Sequence, residues 1–246
     1  LRTPSKAPDP DMGQTIRDTV ERIQQFDAPQ CDTILMLGVG GSALGPELAI
    51  DALRPSNGRT FLLIDTVDPS GIKRVLEKLK PSSTLVLVAS KSGGTVETRQ
   101  ALRIVEAAYA TANVCFADHA VAITSPGSGL ESVASGWRDI FPVWEWVGGR
   151  TSITSAVGLL PMHLCGIDIA AFLQGARDMD TWTRQSFPDN PAAHMASVWV
   201  NTQQDTLGPR PGFFLIWGGF RAAGVVKPRA RGLHEAQINK IPIHQT

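Results

Sequence analysis

Thr33-Ile34-Leu35-Met36-Leu37-Gly38-Val39-Gly40-Gly41-Ser42-Ala43-Leu44-Gly45 is the part of the sequence from which the architecture can be worked out. Residues 33–37 form a short apolar run without helical spacing, which predicts a buried strand. The glycines that follow permit a tight turn and let a ligand approach the main chain. Helical spacing returns after Ser42. Unpaired N–H groups and the helix dipole both point at such a turn, so we expect it to bind an anion; a simple packing turn is the alternative.

Short apolar runs and helical stretches continue to alternate along the chain. Further strands are predicted at 61–65, 84–89 and 120–124, and helices at 12–26, 69–79 and 96–110. A last short strand at 139–143 is expected at an edge of the sheet, because Pro142 cannot donate a ladder hydrogen bond. Strands that alternate with helices pair in parallel through right-handed crossovers. The predicted fold class is α/β, a doubly wound three-layer sandwich with a mainly parallel sheet.

A second glycine- and hydroxyl-rich loop, Ser90-Lys91-Ser92-Gly93-Gly94-Thr95, directly follows the third predicted strand. Ligands of doubly wound sheets bind beyond the carboxyl ends of the strands, so this loop and the first glycine turn are expected to face one crevice. Three hydroxyls, freed main-chain N–H groups and one lysine suit a phosphate, which needs several donors and a compensating charge. The alternative is that the serines and threonines are ordinary turn and capping residues.

Composition indicates which partners and which cellular compartment are expected for this protein. In 246 residues, 23 Lys and Arg balance 23 Asp and Glu, which argues against nucleic acid as a partner. Cys31, Cys115 and Cys165 lack C-x-x-C spacing, which predicts a reducing compartment and no structural zinc. No apolar run has membrane-spanning length and no signal peptide is evident, so we expect a cytoplasmic protein without a membrane partner. Because the sequence opens with Leu1, we expect a fragment of a longer product.

Three motifs stand out along the chain: Gly38–Pro46, Ser90–Thr98, and Val147–Ser152 continued by Ser155–Pro161. Together they resemble signatures of the glucose-6-phosphate isomerase family in its bacterial form. The motifs occur in the family's order between Ile34 and Ala196. The resemblance implies the first of two sugar isomerase (SIS) domains and interconversion of glucose 6-phosphate with fructose 6-phosphate. It also implies no cofactor and no metal, and a homodimer for the full-length family.

The resemblance also implies site residues. The phosphate of a hexose 6-phosphate substrate would be held by hydroxyls and main-chain N–H groups from Gly41, Ser42, Ser90, Lys91, Ser92, Gly93, Gly94 and Thr95. Arg150 would be catalytic, because a permanent planar cation can stabilise an enediolate. The reaction also needs a base. The family's base motif, E-S-x-G-K after D-R-L, does not occur in this sequence, so the base and the ring-opening residues stay unassigned.

We divide the chain on these patterns into residues 1–185 as the first SIS domain, 186–200 as the lead into a second SIS domain, and 201–246 as a tail that does not match the family. The tail is rich in arginine, glycine and proline without a clear period. The hypothesis is that it is the aberrant end of a truncated or frame-shifted gene.

Two other functions stay open. A non-catalytic SIS-domain sensor of sugar phosphates would use the same loops. An NAD-dependent dehydrogenase is the other, because Gly38–Ala43 satisfies the loose dinucleotide pattern G-x-G-x-x-G/A and Asp65 ends the second predicted strand. A dinucleotide needs only one pyrophosphate turn, however, and would leave the second hydroxyl loop unexplained.

Overall fold

The computed structural model describes residues 10–204. The strands are β1 (Thr33–Leu37), β2 (Thr60–Ile64), β3 (Thr84–Ala89), β4 (Ala120–Thr124) and β5 (Asp139–Pro142). The helices are α1 (Pro10–Gln25), α2 (Leu44–Leu53), α3 (Pro69–Leu76), α4 (Val96–Thr111), α5 (Gly129–Val133), α6 (Ala156–Leu164), α7 (Ile169–Trp182) and α8 (Pro191–Gln204). Of the predicted tail at 201–246, only the last residues of α8 fall within the described range.

The strands form one parallel sheet in the order β2-β1-β3-β4-β5. Leu35 of β1 pairs with Leu62 of β2 on one side and with Val86 of β3 on the other. The chain therefore runs outward from β1 to β2 and then crosses back to β3. β5 lies at an edge, as its proline predicts. The doubly wound α/β fold is confirmed.

Two hydrophobic clusters cover the two faces of the sheet. Successive strand residues point to opposite faces, so Ile34 joins one cluster and Leu35 the other. The first cluster packs beneath α1, α2 and α6, and the second beneath α3, α4 and α5. The central strands β1, β3 and β4 are buried along their whole length, which explains why they read as continuous apolar runs.

The differences from the predicted elements are confined to their ends. Helix α3 ends at Leu76 rather than at residue 79. The N–H groups of Lys78 and Leu79 donate to carbonyls three residues back, so the chain there tightens into 3-10-type turns. Helix α3 begins at residue 69 as predicted, with Pro69 at its first position. The structure adds that the Asp68 side chain caps this helix by accepting a hydrogen bond from the N–H of Gly71.

The described residues divide between two compact units, with the boundary between Thr181 and Trp182. In the second unit, the side-chain oxygen of Asn190 accepts a hydrogen bond from the N–H of Ala193 in α8, and its amide nitrogen donates to the carbonyls of Thr183 and Gln185. Within residues 10–204, no helix combines the length and the apolar character needed to cross a bilayer.

Candidate functional site

The two predicted loops meet at the carboxyl edge of the sheet, because β1 and β3 are neighbouring parallel strands. The first loop leaves β1 and forms a short 3-10 turn, Gly40–Ser42, before α2 begins. Gly40 has a φ of +59°, a left-handed conformation that glycine adopts without a steric penalty. This is the point between β1 and β3 at which doubly wound sheets bind their ligands.

The second loop is held in a compact turn by its own polar groups. The hydroxyls of Ser90 and Thr95 lie 3.1 Å apart, and the Ser92 hydroxyl accepts a hydrogen bond from the N–H of Gly94. Gly93 has a φ of +67° and packs so closely against the Leu130 main chain that a Cβ atom would overlap it. The turn therefore gathers three hydroxyls at the N-terminus of α4.

The two helices that follow these loops, α2 and α4, lack side-chain caps. Neither Ala43 at the N-cap of α2 nor Thr95 at the N-cap of α4 makes a side-chain capping hydrogen bond. In contrast, α3, α5 and α6 are capped by the side chains of Asp68, Ser128 and Ser155. Uncapped first-turn N–H groups carry the positive end of the helix dipole. Both loops thus leave donors available for an anion.

A third loop, residues 144–155, packs across the first. The buried Ser152 hydroxyl lies 2.7 Å from the carbonyl oxygen of Gly149 and 3.1 Å from that of Gly41, so it can donate to either. Gly41 and Gly149 approach so closely that a Cβ on Gly41 would lie 2.8 Å from the Cα of Gly149 and closer still to its carbonyl group. The first and third motifs therefore form one packed unit.

Lys91 joins the second loop to the third. Its Nζ donates to the main-chain carbonyls of Glu145, at 2.6 Å, and Val147, at 3.1 Å, and lies 3.9 Å from the Glu145 carboxylate. The sequence predicts this ammonium as the cation that balances a phosphate. In the structure this ammonium lies in the cavity lining and is held by the segment that immediately precedes Gly148 and Gly149.

A cavity of about 300 Å³ opens between the three loops. It is lined by Val39, Gly41, Ser42, Ala89, Ser90, Lys91, Ser92, Thr95, Thr98, Glu145 and Gly149. Six of the predicted site residues are therefore brought together here: Gly41, Ser42, Ser90, Lys91, Ser92 and Thr95. Glu145 and Thr98 are lining residues that the sequence interpretation missed; Thr98 stands inside the second motif, but nothing in the sequence shows that its side chain is buried.

The remaining predicted site residues lie beside this cavity. Gly93 and Gly94 line a neighbouring depression of about 430 Å³, together with Arg99, Arg103 and Glu106 of α4. Burial raises the pKa of the Glu106 carboxyl, and the charge of Arg103 opposes that rise. This depression contains none of the first-loop or third-loop residues. The three loops therefore do not meet at this depression, as they do at the 300 Å³ cavity.

Arg150 follows the cavity-lining Gly149 in the chain but does not itself line the cavity. It is exposed, in the 3-10 turn Gly149–Thr154. Among the described residues it has no ion-pair or hydrogen-bond partner. Since no carboxylate of residues 10–204 fixes this guanidinium, these residues leave it able to turn toward an oxyanion in the adjacent cavity.

Comparisons with known proteins point to one family. A family model described as Phosphoglucose isomerase matches residues 14–208. The curated glucose-6-phosphate isomerases of Geobacter sulfurreducens and Synechococcus sp. (strain JA-3-3Ab) are 47% identical over 218 residues and 48% identical over 217 residues. Each match covers 81% of this chain and 41% of the relative. The chain thus spans about 41% of the length of the curated relatives it matches.

Solved structures agree with this result. The crystal structure of a glucose-6-phosphate isomerase from Chlamydia trachomatis is 28% identical, with a TM-score of 0.70, over 77% of this chain and 39% of that chain. A protein of Thermus thermophilus described as hypothetical is 32% identical, with a TM-score of 0.67, over 78% of this chain and 46% of that chain.

Proposed function

The chain belongs to the phosphoglucose isomerase family, and on this basis we propose that it provides the phosphate-binding part of a glucose-6-phosphate isomerase active site. The substrate pair is glucose 6-phosphate and fructose 6-phosphate. The observation that carries the proposal is the convergence of three loops on one cavity of about 300 Å³, with hydroxyls from Ser42, Ser90, Ser92 and Thr95 in its lining.

The chemistry of the cavity lining supports a phosphate as the part of the substrate that this cavity binds. A phosphate accepts several hydrogen bonds and carries negative charge, and the cavity offers hydroxyl donors beside the uncapped N-termini of α2 and α4. Binding energy from this end of the substrate orients the reacting carbons at the other end. The loops therefore orient the sugar through its phosphate and take no part in the proton transfer.

The reaction moves one proton between adjacent carbons. A base removes the proton from C2 of the aldose and returns it to C1 by way of an enediolate, while the hydroxyl proton passes from O2 to O1, to give the ketose. We assign Arg150 to stabilise the enediolate oxygen, because it is permanently charged and follows Gly149 at the rim of the cavity. Since E-S-x-G-K is absent from this sequence, we expect the chain to bind hexose 6-phosphates and not to isomerise them by itself.

Two measurements test the proposal. Calorimetry gives the affinities of the chain for inorganic phosphate, fructose 6-phosphate and NAD, and a coupled isomerase assay measures turnover. A further ligand, a five-carbon aldonate 5-phosphate, places a carboxylate where the enediolate forms. We expect the aldonate to bind at least about tenfold tighter than fructose 6-phosphate, since analogues of the transition state bind more tightly than substrates. Arg150→Ala should abolish that preference and leave the affinity for inorganic phosphate unchanged.

Each alternative predicts a different result. Binding of NAD without binding of fructose 6-phosphate would overturn the proposal in favour of the dehydrogenase. Equal affinity for the ketose phosphate and the aldonate, unaffected by Arg150→Ala, would favour the non-catalytic sensor. Turnover of the sugar phosphate by the chain alone would support the isomerase function. It would also show that the 246 residues of the chain include a base outside the family's motif.

A further inference from the structure

Thr98, the third residue of α4, carries a hydroxyl that the fold leaves without a partner. The residue is 3% exposed, and its Oγ1 makes no hydrogen bond to any described residue. Every other buried serine or threonine in the described part of the chain is bonded: Thr33, Thr84, Ser90, Thr124, Ser125, Ser128 and Ser152. An unmade hydrogen bond of a buried hydroxyl destabilises a folded protein, so its presence here calls for an explanation.

The local backbone explains why Thr98 has no internal partner. A threonine in a helix ordinarily donates to the carbonyl four residues back, as Thr19 does to Thr15 and Thr111 does to Ala107, both at 2.8 Å. Four residues before Thr98 stands Gly94, in the loop that precedes α4. The carbonyl that would satisfy the hydroxyl is therefore not part of a helical turn.

The surroundings of Thr98 identify the ligand that would satisfy it. Thr98 belongs to the lining of the 300 Å³ cavity, together with Ser42, Ser90, Ser92 and Thr95. Helix α4 has sixteen residues, and Thr95 at its N-cap bonds to Ser90 instead of capping it. Hydroxyl donors beside a positive helix end suit an oxyanion. The acidic group in the lining, Glu145, lies near the Lys91 ammonium.

We propose that the Thr98 hydroxyl is a further phosphate ligand of this site, donating to an oxygen of the bound phosphoryl group. Threonine in a helix occupies two χ1 rotamers, so the hydroxyl can turn toward a bound oxyanion without movement of the backbone. The inference rests on the proposed function, since it takes the phosphate end of a hexose 6-phosphate as the occupant. It explains why a destabilising group stands at a position where valine would fit.

The test compares Thr98→Val, which keeps the shape and removes the hydroxyl, with Thr98→Ser, which keeps the hydroxyl. Denaturant unfolding without ligand and calorimetry with inorganic phosphate and fructose 6-phosphate are measured for both variants and the parent. Hydrogen bonds to charged groups are the stronger kind. We therefore expect Thr98→Val to bind both ligands about tenfold more weakly and to unfold at an unchanged or higher denaturant concentration. Thr98→Ser should stay within about threefold of the parent affinity.

Three results would overturn the inference. If Thr98→Val binds both ligands as the parent does, the hydroxyl takes no part in binding. If Thr98→Val unfolds at a lower denaturant concentration, the hydroxyl has an internal partner and its role is structural. If the parent binds neither phosphate nor fructose 6-phosphate, the proposed function itself fails, an outcome distinct from loss of binding in the variant alone.

Discussion

The main chains of Gly41 and Gly149 are in such close contact that neither loop could keep its position if Gly41 carried a side chain. These residues are far apart in the sequence, and each lies in a different signature of the family. Their contact fixes the third loop over the first and sets the width of the cavity between them. A glycine is required at position 41 for this close approach and not for an unusual φ.

Gly41→Ala should therefore lower both stability and ligand affinity. The new methyl group would overlap the Gly149 carbonyl, and overpacking of this kind costs roughly 1–3 kcal/mol. We expect a lower urea midpoint and a large loss of phosphate affinity, measured by calorimetry. The matched control is Gly175→Ala in α7, where a Cβ meets nothing within 4 Å. That variant should be at least as stable as the parent, and equal behaviour of the two variants would contradict the prediction.

Lys91→Met should loosen the third loop. The substitution removes the hydrogen bonds from Nζ to the carbonyls of Glu145 and Val147, with an expected destabilisation of about 1 kcal/mol. Amide exchange at Val147, whose N–H donates to Trp144 at 2.9 Å, should become faster. Lys73→Met removes a charge from an exposed lysine whose ammonium has no partner among the described residues, and it serves as the control. Unchanged exchange at Val147 would show that the loop is held by other contacts.

The Asp27–Arg59 ion pair gives a pH dependence whose sign can be worked out. The hydrogen bond from Arg59, at 2.7 Å, holds the pKa of the Asp27 carboxyl below its usual value. The stabilisation is therefore present above the unfolded pKa of about 4 and is lost as the pH falls through the folded pKa. Because the Asp27 side chain is 59% exposed, Asp27→Asn should cost at most about 1 kcal/mol at pH 7.

The measurement is urea unfolding of the parent and of Asp27→Asn at pH 7 and near pH 3. The difference in unfolding free energy should shrink at the lower pH. Asp51→Asn removes an exposed carboxylate without a partner among the described residues and should show no such trend. A difference that grows on acidification would contradict the assigned sign.

The three cysteines should differ in reactivity. Cys115 is exposed, whereas Cys31 and Cys165 are buried. Burial raises the pKa of the Cys165 thiol to about 11 and also raises that of Cys31, so both stay protonated at pH 8 and react slowly. An aromatic disulfide reagent should modify one thiol rapidly in the folded chain and the other two only in denaturant. Cys115→Ser should remove the rapid phase; a rapid phase that survives would contradict the assignment.

The sheet, the first loop after β1 and the second loop after β3 could be predicted from the sequence, because these features depend on local residue patterns. A central parallel strand is buried on both faces, so Thr84–Ala89 is a continuous apolar run that no other element produces as readily. Glycines mark the turns because few other residues tolerate them. The positions of Ser90 and Thr95 then follow from the rule that ligands bind beyond the carboxyl ends of strands.

The partners of Lys91 and Thr98 could not be predicted in this way. Lys91 contacts carbonyls more than fifty residues away, and that contact depends on where the third loop crosses the sheet. Neither the path of this loop nor its distance from Lys91 follows from local residue patterns. For Thr98, the decisive property is that its hydroxyl has no hydrogen-bond partner among the described residues. This can be recognised only when the positions of all neighbouring polar atoms are known. Sequence patterns report periodicity and composition, and neither quantity specifies such tertiary contacts.

The packing of the third loop across the first has a consequence for synthesis of the chain on the ribosome. The loops that follow β1 and β3 emerge first, yet the cavity-lining Gly149 emerges only after all five strands have been made. A nascent chain that ends before the third loop, residues 144–155, therefore has both hydroxyl-bearing loops and no closed pocket around them. The phosphate binding that we propose for this site should arise late and abruptly during elongation, as expected when a domain folds as a unit.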